Sequence, residues 1–391
     1  MGKKQFWFIL IVSVLNISCN RKENNSEIKL IETNKHVYDI FHHEKVLNIM
    51  WDSKNPNNIF SITKIVTVND SIKIILDGIQ GSLYKWNYNN NMITQIAKKG
   101  RGPGEFNSIR DFVFDDHKNL FVLDVSSAVV GKFDSNYNFI KNYSLSFEHR
   151  NPYAIGYFNN SFIISAQKNL QPKSTKKNYN FLDYTENKFV NIYDNEFNLI
   201  HSIISPDERL VHTQGVFCLP FINLSPFGYS NSNLYIMKQE GFYKIYIINK
   251  QWDVKKIIDV KSKAFKEIRK SDYMSLKIND REPNLKMEEI GKIVASYTSP
   301  MNILITKDFL TIQMVKPYNN YYPQYDNTDQ KKYYLDVYKI INEGLYAYMS
   351  NISIDAWIIG ADYSTNVLYS SNSYTKIENE EETYIETIQL K

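Results

Sequence analysis

The side chains best suited to catalysis in this chain are its carboxylates and histidines, and their spacing limits what they can do. The seven histidines are scattered, and the adjacent pair His42 and His43 would point to opposite sides of a strand. The sequence has no Gly-x-Ser-x-Gly elbow, no His-Glu-x-x-His motif and no EF-hand loop. Asp111 and Asp124 are the acids a metal-assisted enzyme would use, although aspartates at turns usually satisfy backbone amides. We predict no catalytic residues, metal ligands or cofactors.

A glycine-rich segment, Lys99-Gly100-Arg101-Gly102-Pro103-Gly104-Glu105-Phe106, forms a second group of interest. Its glycines permit positive φ angles and its proline fixes one corner, which is typical of a rigid connector. A phosphate-binding loop is excluded because no Gly-Lys-Ser/Thr and no helix start follow. Arg101 and Glu105 flank the segment. They are candidate binding residues, unless they only pair with each other or with a neighbouring part of the fold.

Tyrosines interleaved with Asn and Gln over residues 318–325 form a third group. Flat rings with hydrogen-bonding tips suit sugars and extended peptides, so a glycan or peptide is a candidate ligand, alongside a protein of the cell envelope. The alternative is that the rings only pack their loop onto the fold. The candidate binding residues here are Tyr318, Tyr321, Tyr322 and Tyr325.

The composition limits the classes of protein that can hold these residues. The chain has 391 residues, a formal net charge of +4 and 43% hydrophobic residues, enough for one large or two ordinary domains. The mild charge disfavours a nucleic-acid partner, and two cysteines exclude a disulfide framework or a cysteine-rich zinc site. The 29 tyrosines and 22 phenylalanines favour strands.

The N-terminus has the layout of a secretory signal peptide over residues 1–18, with two lysines before a ten-residue apolar run. Ser18 then precedes Cys19, which resembles a bacterial lipoprotein box in which the cysteine is lipidated. The box departs from its usual form because Asn16 stands where leucine is common, so a plain signal peptide is the alternative. We predict a lipidated Cys19 and a flexible tether over 19–27. The expected location is the bacterial cell envelope, at the outer membrane, with the lipid as membrane anchor.

Two interleaved patterns, each present six times, identify the fold class. The first is a turn residue followed by a short apolar strand, as in residues 119–122 and 233–236. The second is an alternating strand that ends in a polar turn, as in 133–139 and 193–199. With an inner and an outer strand added, each unit is a four-stranded antiparallel blade. Six such blades predict an all-β, six-bladed β-propeller over residues 28–391.

The strand spacing also predicts how the ring closes and where the extra residues lie. The last blade lacks an outer strand, and we expect a segment around residues 28–40 to supply it. Residues 262–299 have helical periodicity and predict a small helical insertion. Four long insertions fall on one face, where binding sites usually lie: 166–188, 204–220, 262–299 and 316–332.

The glycine-rich segment and the strands after it, through Asp134, resemble the "6-bladed β-propeller" lipoproteins of gut Gram-negative bacteria, which are similar to NHL-repeat and TolB-like propellers. The close match covers residues 83–145, and the periodicity extends it over about 30–390. The resemblance implies the fold and an envelope location, but no activity.

A non-enzymatic binding or scaffold role through the face with the long loops is our first interpretation. A propeller hydrolase or lyase acting on a sugar, lactone or peptide is the alternative, and a purely structural envelope scaffold is a third. An enzyme predicts three or more convergent acids or histidines in the central channel, whereas a binding protein predicts Tyr, Asn and Lys there.

Overall fold

The computed structural model describes the chain in twelve stretches. These are residues 25–29, 33–50, 59, 61–145, 149–168, 188–205, 226–238, 241–269, 295–317, 333–342, 344–371 and 382–391. The predicted signal peptide and Cys19 lie outside them. No helix in these stretches is long and apolar enough to cross a membrane.

The strands form six sheets, and each sheet is one blade of a ring. The N-terminal elements are β1 (Asn25–Lys29), α1 (Val37–Ile40) and β2 (His42–Met50). Blade 1 contains β3 (Ile62–Thr67), β4 (Ile72–Asp77), β5 (Ser82–Asn87) and β6 (Met92–Lys99), with the short β7 (Glu105–Phe106) beside β6. Blade 2 contains β8 (Ile109–Phe114), β9 (Leu120–Asp124), β10 (Val129–Phe133) and β11 (Phe139–Ser144).

The remaining blades follow the same order. Blade 3 contains β12 (His149–Phe158), β13 (Ser161–Lys168), β14 (Val190–Tyr193) and β15 (Leu199–Ile203). Blade 4 contains β16 (Phe227–Tyr229), β17 (Leu234–Ile236), β18 (Lys244–Ile248) and β19 (Val254–Lys261). Blade 5 contains β20 (Ser299–Ile305), β21 (Phe309–Val315), β22 (Tyr333–Ile341) and β23 (Gly344–Ile354). Blade 6 contains β24 (Trp357–Ala361), β25 (Val367–Ser371) and β26 (Glu382–Gln389).

The all-β, six-bladed propeller predicted from the repeats is confirmed. Burial explains why the sequence folds this way: all five residues of β9 are buried, whereas β11, the outer strand of the same blade, is mostly exposed. Aromatic rings fill the space between blades. Phe121 of blade 2 packs on Phe162 of blade 3 with ring centroids 4.4 Å apart. Phe197, in the next turn of blade 3, stacks on Phe162 at 4.5 Å.

An N-terminal segment closes the ring, as predicted, but it is not residues 28–40. Strand β2 pairs antiparallel with β26 as the outer strand of blade 6, from His42 opposite Gln389 onwards. Strand β1 instead pairs in parallel with β19 and adds a fifth strand to blade 4. Residues 25–27, predicted as tether, are therefore strand, because the outer edge of β19 offers free backbone groups to pair with. Residues 37–40 form α1, with the His36 ring as its N-cap.

The predicted helical insertion is only partly described. Residues 262–269 and 296–299 carry no helix and Ala295 is a single helical residue, while residues 270–294 lie outside the described stretches. Of the residues that set the helical periodicity, Tyr297 is described and buried. Its two ends are tied together. The Thr298 amide donates to the Lys266 carbonyl at 2.8 Å, and the Lys266 amide donates to Thr298 Oγ1 at 2.9 Å. The place where the chain leaves blade 4 and the place where it enters blade 5 are therefore adjacent, joined by the backbone of Lys266 and Thr298.

The two ends of the blades differ. One, which we call the short-turn end, carries the first-to-second and third-to-fourth connections. Its turns are held by side chains such as Asp134, whose Oδ1 accepts the amides of Asn136 and Asn138, both at 2.8 Å. The other, the long-connection end, carries the second-to-third connections and those between blades. The strand order attaches these incompletely described segments to it: 169–187, 206–225, 270–294, 318–332 and 372–381.

Candidate ligand-binding channel

A cavity of about 1130 Å³ runs along the axis of the propeller and is lined by the first strands of all six blades. The position follows from the fold. The first strand of each blade has one edge with no partner strand, and six such edges surround the axis. Backbone N–H and C=O groups on these edges need partners from side chains, water or a ligand. The channel is therefore a polar-edged space and not a packed core.

Lys64 and Asp111 join three blades at the wall of this channel. Lys64 Nζ donates to Asp111 Oδ1 at 2.6 Å and to the Phe112 carbonyl at 2.8 Å. Asp111 also accepts two backbone amides, from Phe112 at Oδ1 and from Ile155 at Oδ2, both at 2.8 Å. Because Lys64 belongs to blade 1 and Ile155 to blade 3, the carboxylate of blade 2 holds both neighbours. All three donors to this carboxylate are groups of the propeller itself.

Arg110 is different, although it is the residue before Asp111. Its side chain is exposed, and its guanidinium lies 4.4 Å from the centroid of the Tyr153 ring, a cation–π contact. Within the described residues it forms no ion pair. Since β8 begins at the long-connection end, Arg110, its second residue, lies near that opening of the channel. Trp357, the first residue of β24, lines the same end.

Two tyrosines line the channel towards the short-turn end. Tyr229 and Tyr363 stack with ring centroids 6.1 Å apart and an interplanar angle of 19°. Tyr363 is 53% exposed, yet the protein walls around it raise the pKa of its hydroxyl to about 12, and the Asp111 carboxylate adds to that rise. Burial also raises the pKa of Tyr229. Both hydroxyls are therefore neutral at physiological pH.

The charges that line the channel are unbalanced. Among the described residues, the lining contains the cations Lys64, Arg110 and Lys118 but one carboxylate, Asp111. With Lys64 and Asp111 paired, the other two cations leave a positive surplus. Nowhere in the described stretches do three or more His, Cys, Asp or Glu side chains gather as a metal site would require.

Glu105, one of the predicted binding residues, is engaged with its own loop. Its Oε2 accepts the amides of Arg101 at 3.0 Å and Gly102 at 2.8 Å, and Lys98 Nζ lies 3.4 Å from its Oε1. The Gly102 amide, followed by the Lys98 ammonium, lowers the pKa of this carboxyl. A Cβ at Gly100 would collide with the Glu105 carboxylate, so a larger residue there would displace this side chain from its hydrogen bonds to the loop. This is the rigid connector that the glycines indicated.

Other predicted residues fall in different places. The exposed Arg101 lies in the same connector and does not line the channel. Asp124 satisfies turn amides, accepting from Asn107 at 2.8 Å and from Ser108 at 3.1 Å, which is the structural role expected of an aspartate at a turn. Tyr318, Tyr321, Tyr322 and Tyr325 lie outside the described residues.

Arg110 and Tyr153 are channel residues that were not predicted from the sequence. One signal was available: Arg110 interrupts the apolar residues at the start of β8, immediately after the connector. Tyr153 lies within an irregular stretch of β12, where pairing with β13 shifts between Arg150 and Ala154. An irregular inner strand is not visible in a strand pattern, so the pairing of Tyr153 with Arg110 needed the structure.

No protein-family model matches this chain, and no curated protein matches it. Solved structures do. A Bacteroides fragilis protein named as exported is 14% identical, with 94% of this chain and all of that chain covered and a TM-score of 0.61. A member of the DUF4221 family from Bacteroides vulgatus is also 14% identical, with 89% of this chain and 97% of that chain covered and a TM-score of 0.59. At this identity the likeness shows the fold: the chain is a six-bladed β-propeller.

Proposed function

We propose that this protein is a binding propeller that takes a ligand carrying a carboxylate, an acidic glycan or peptide, into its central channel. The observation that carries the proposal is the Arg110 guanidinium, exposed in the channel and stacked 4.4 Å from the Tyr153 ring, while the neighbouring Asp111 is held by Lys64. Arginine presents a planar fork of donors that matches a carboxylate. An exposed arginine on the wall of a cavity, with no acidic partner among the described residues, favours binding of an anion.

The aromatic side chains define the rest of the ligand. Tyr153 supports the guanidinium from one side, and Trp357 lines the channel at the same end. Aromatic faces suit the apolar faces of sugar rings and the side chains of peptides. The ligand is therefore expected to combine an acidic group with a flat or ring-shaped body.

The binding role fits the channel better than the hydrolase or lyase alternative. That alternative needs several acids or histidines that converge on a substrate or metal. The described lining holds Asp111 as its carboxylate, and the three hydrogen bonds that it accepts come from Lys64 and from the Phe112 and Ile155 amides. A carboxylate whose oxygens already accept hydrogen bonds from the protein is a poor general acid or base.

Export and lipid anchoring are part of the same proposal. They rest on the signal-like layout of residues 1–18 and on Ser18-Cys19, and the name of the Bacteroides fragilis neighbour agrees with export. Intact mass of the membrane fraction from a Gram-negative host tests this: we expect a chain that begins at Cys19 and carries a lipid. The Cys19→Ser chain should carry none. A mature chain without lipid would contradict the anchor.

A binding array tests the ligand class. The purified chain is applied to acidic and neutral glycans of matched length and to peptides with free or amidated carboxyl termini. We expect acidic members to bind, Arg110→Ala to lose them, and Arg101→Ala to keep them, because Arg101 is an exposed arginine outside the channel. Neutral ligands bound equally well by the parent chain and Arg110→Ala would overturn the proposal.

A further inference from the structure

Exposed apolar side chains flank the third-to-fourth turns of the blades. In each of blades 1 to 5, a large apolar residue beside this turn is between 40% and 60% exposed. Single exposed apolar residues are ordinary, but these recur beside the same turn in five blades, at the start of the fourth strand in blades 1 to 4 and at the end of the third strand in blade 5. They are Met92, Ile140, Leu199, Ile200, Val254 and Ile341.

Among the described residues, the exposed large apolar side chains lie mostly at the short-turn end of the propeller. Ten large apolar residues of the described chain are exposed, and Ile79 is the member of that group at the long-connection end, in the second-to-third turn of blade 1. The others lie in or near the turns of the short-turn end. That end has polar turns, such as the one held by Asp134, between its apolar side chains. Mixed apolar and polar groups of this kind suit a shallow contact with an interface.

The N-terminal chain reaches the propeller at the same end. Strand β1 runs parallel to β19, with Asn25 opposite Ile257 and Lys29 opposite Lys261. Because β19 begins just after a third-to-fourth turn, its parallel partner also enters from the short-turn end. Cys19 precedes Asn25 by six residues, and six extended residues reach about 20 Å. A lipid on Cys19 would therefore lie within that distance of this end of blade 4.

We infer that the short-turn end is a membrane-facing surface: its exposed apolar side chains rest in the headgroup region of a bilayer, and the long-connection end faces away. This inference rests on the proposed lipid anchor. A lipid bilayer is the partner of this surface, because a lipid anchor within about 20 Å keeps the short-turn end close to the membrane at a high local concentration. The entrance beside Arg110 then opens away from the membrane, where an acidic ligand has access to it.

Two labels on one blade test the orientation. In the full, lipid-carrying chain with Cys218→Ser, Met92→Cys and Ile79→Cys are each coupled to a nitrobenzoxadiazole dye. Met92 and Ile79 are matched because both are exposed apolar residues of blade 1, at opposite ends. The proteins are bound to vesicles of phosphatidylethanolamine and phosphatidylglycerol that contain a lipid with a headgroup quencher. We expect the dye at position 92 to shift to the blue and lose most of its emission, and the dye at position 79 to keep it.

Three results would overturn the inference. Equal emission changes at both positions would show that the short-turn end is not the end that faces the bilayer. Stronger quenching at position 79 would show the reverse orientation. A concentration-dependent blue shift at position 92 without vesicles would show that a second copy of the chain covers this end. The lipid on Cys19 and the Arg110-dependent binding are measured separately, so failure of the orientation leaves those results standing. Absence of the lipid removes the anchor and the inference together.

Discussion

Lys64 and Arg110 are two cations of one channel wall, and among the described residues Lys64 is paired with an acid whereas Arg110 is not. Lys64 lies 2.6 Å from Asp111, and their pair ties blade 1 to blade 2. Arg110 has the Tyr153 ring and, within the described residues, no acid. The difference separates a charge that the fold needs from one that it leaves available. A charge kept exposed without an acidic partner is a stronger indication of function than one that is paired.

The first prediction concerns the paired charge and has the largest expected effect. Asp111→Ala leaves the buried Phe112 and Ile155 amides without their acceptor, while the Lys64 ammonium keeps its hydrogen bond to the Phe112 carbonyl. Since such buried donors are costly when unpaired, we expect the free energy of unfolding to fall by about 3 kcal/mol. Urea unfolding measures it. Asp111→Asn keeps the size of the side chain and should lose less. An unchanged free energy in Asp111→Ala would show that the pair does not join the blades.

The second prediction concerns the available charge. Arg110→Ala removes the carboxylate-binding fork without removing a hydrogen bond of the fold, so we expect affinity for the acidic ligand to fall roughly 10- to 100-fold. The melting temperature should stay close to that of the parent chain. Titration calorimetry with scanning calorimetry separates the two effects. A large loss of thermal stability with no loss of affinity would reverse the roles assigned to Lys64 and Arg110.

The third prediction concerns the cation of the Lys64–Asp111 pair. Lys64→Met keeps the length of the side chain but leaves Asp111 with its two backbone amides alone. Because Lys64 remains 29% exposed, we expect a modest loss of about 1 kcal/mol in the free energy of unfolding. Urea unfolding checks this. Arg110→Met serves as the control and should be nearly neutral for stability; an equal loss in both would remove the distinction between the two cations.

The smallest expected effect is at the connector. Hydrogen bonds to the folded loop lower the pKa of Glu105, so its carboxylate stabilises the fold above its ordinary pKa, near 4.5, and that contribution is lost as pH falls through the lowered value. Glu105→Gln should therefore be less stable than the parent chain at neutral pH, and the two should converge in acid. Thermal unfolding across this pH range measures the difference. A difference that is independent of pH would exclude the carboxylate charge as its cause.

The repeats made the fold predictable because each blade buries its middle strands and repeats the same turns. Asp134-Ser135-Asn136 and Asp194-Asn195-Glu196 show this: the side chain of the first residue organises each turn locally. The closing strand was harder to place, because the backbone pairing of β2 with β26 joins residues more than 300 positions apart. Residues 42–50 and 25–29 are both short strands, and sequence alone does not tell which blade each one joins.

The candidate site was less predictable, for a physical reason. The glycine-rich connector is conspicuous in sequence because its backbone needs glycine, and that need is structural: Glu105 folds over Gly100. Arg110 looks like an ordinary polar residue in a strand. Its place in the channel depends on closure of the ring and on the irregular strand that carries Tyr153, both of which are tertiary features.

Binding of an acidic ligand through Arg110 is tested most directly by a fluorescence titration of Trp357 with the strongest acidic ligand from the array. Trp357 lines the channel, so a ligand held beside Arg110 should change its emission. We expect a saturable change in the parent chain and in Arg101→Ala, a greatly weakened one in Arg110→Ala, and none in Trp357→Phe. Binding of equal affinity in Arg110→Ala, or a change that persists in Trp357→Phe, would contradict the claim that this channel binds an acidic ligand through Arg110.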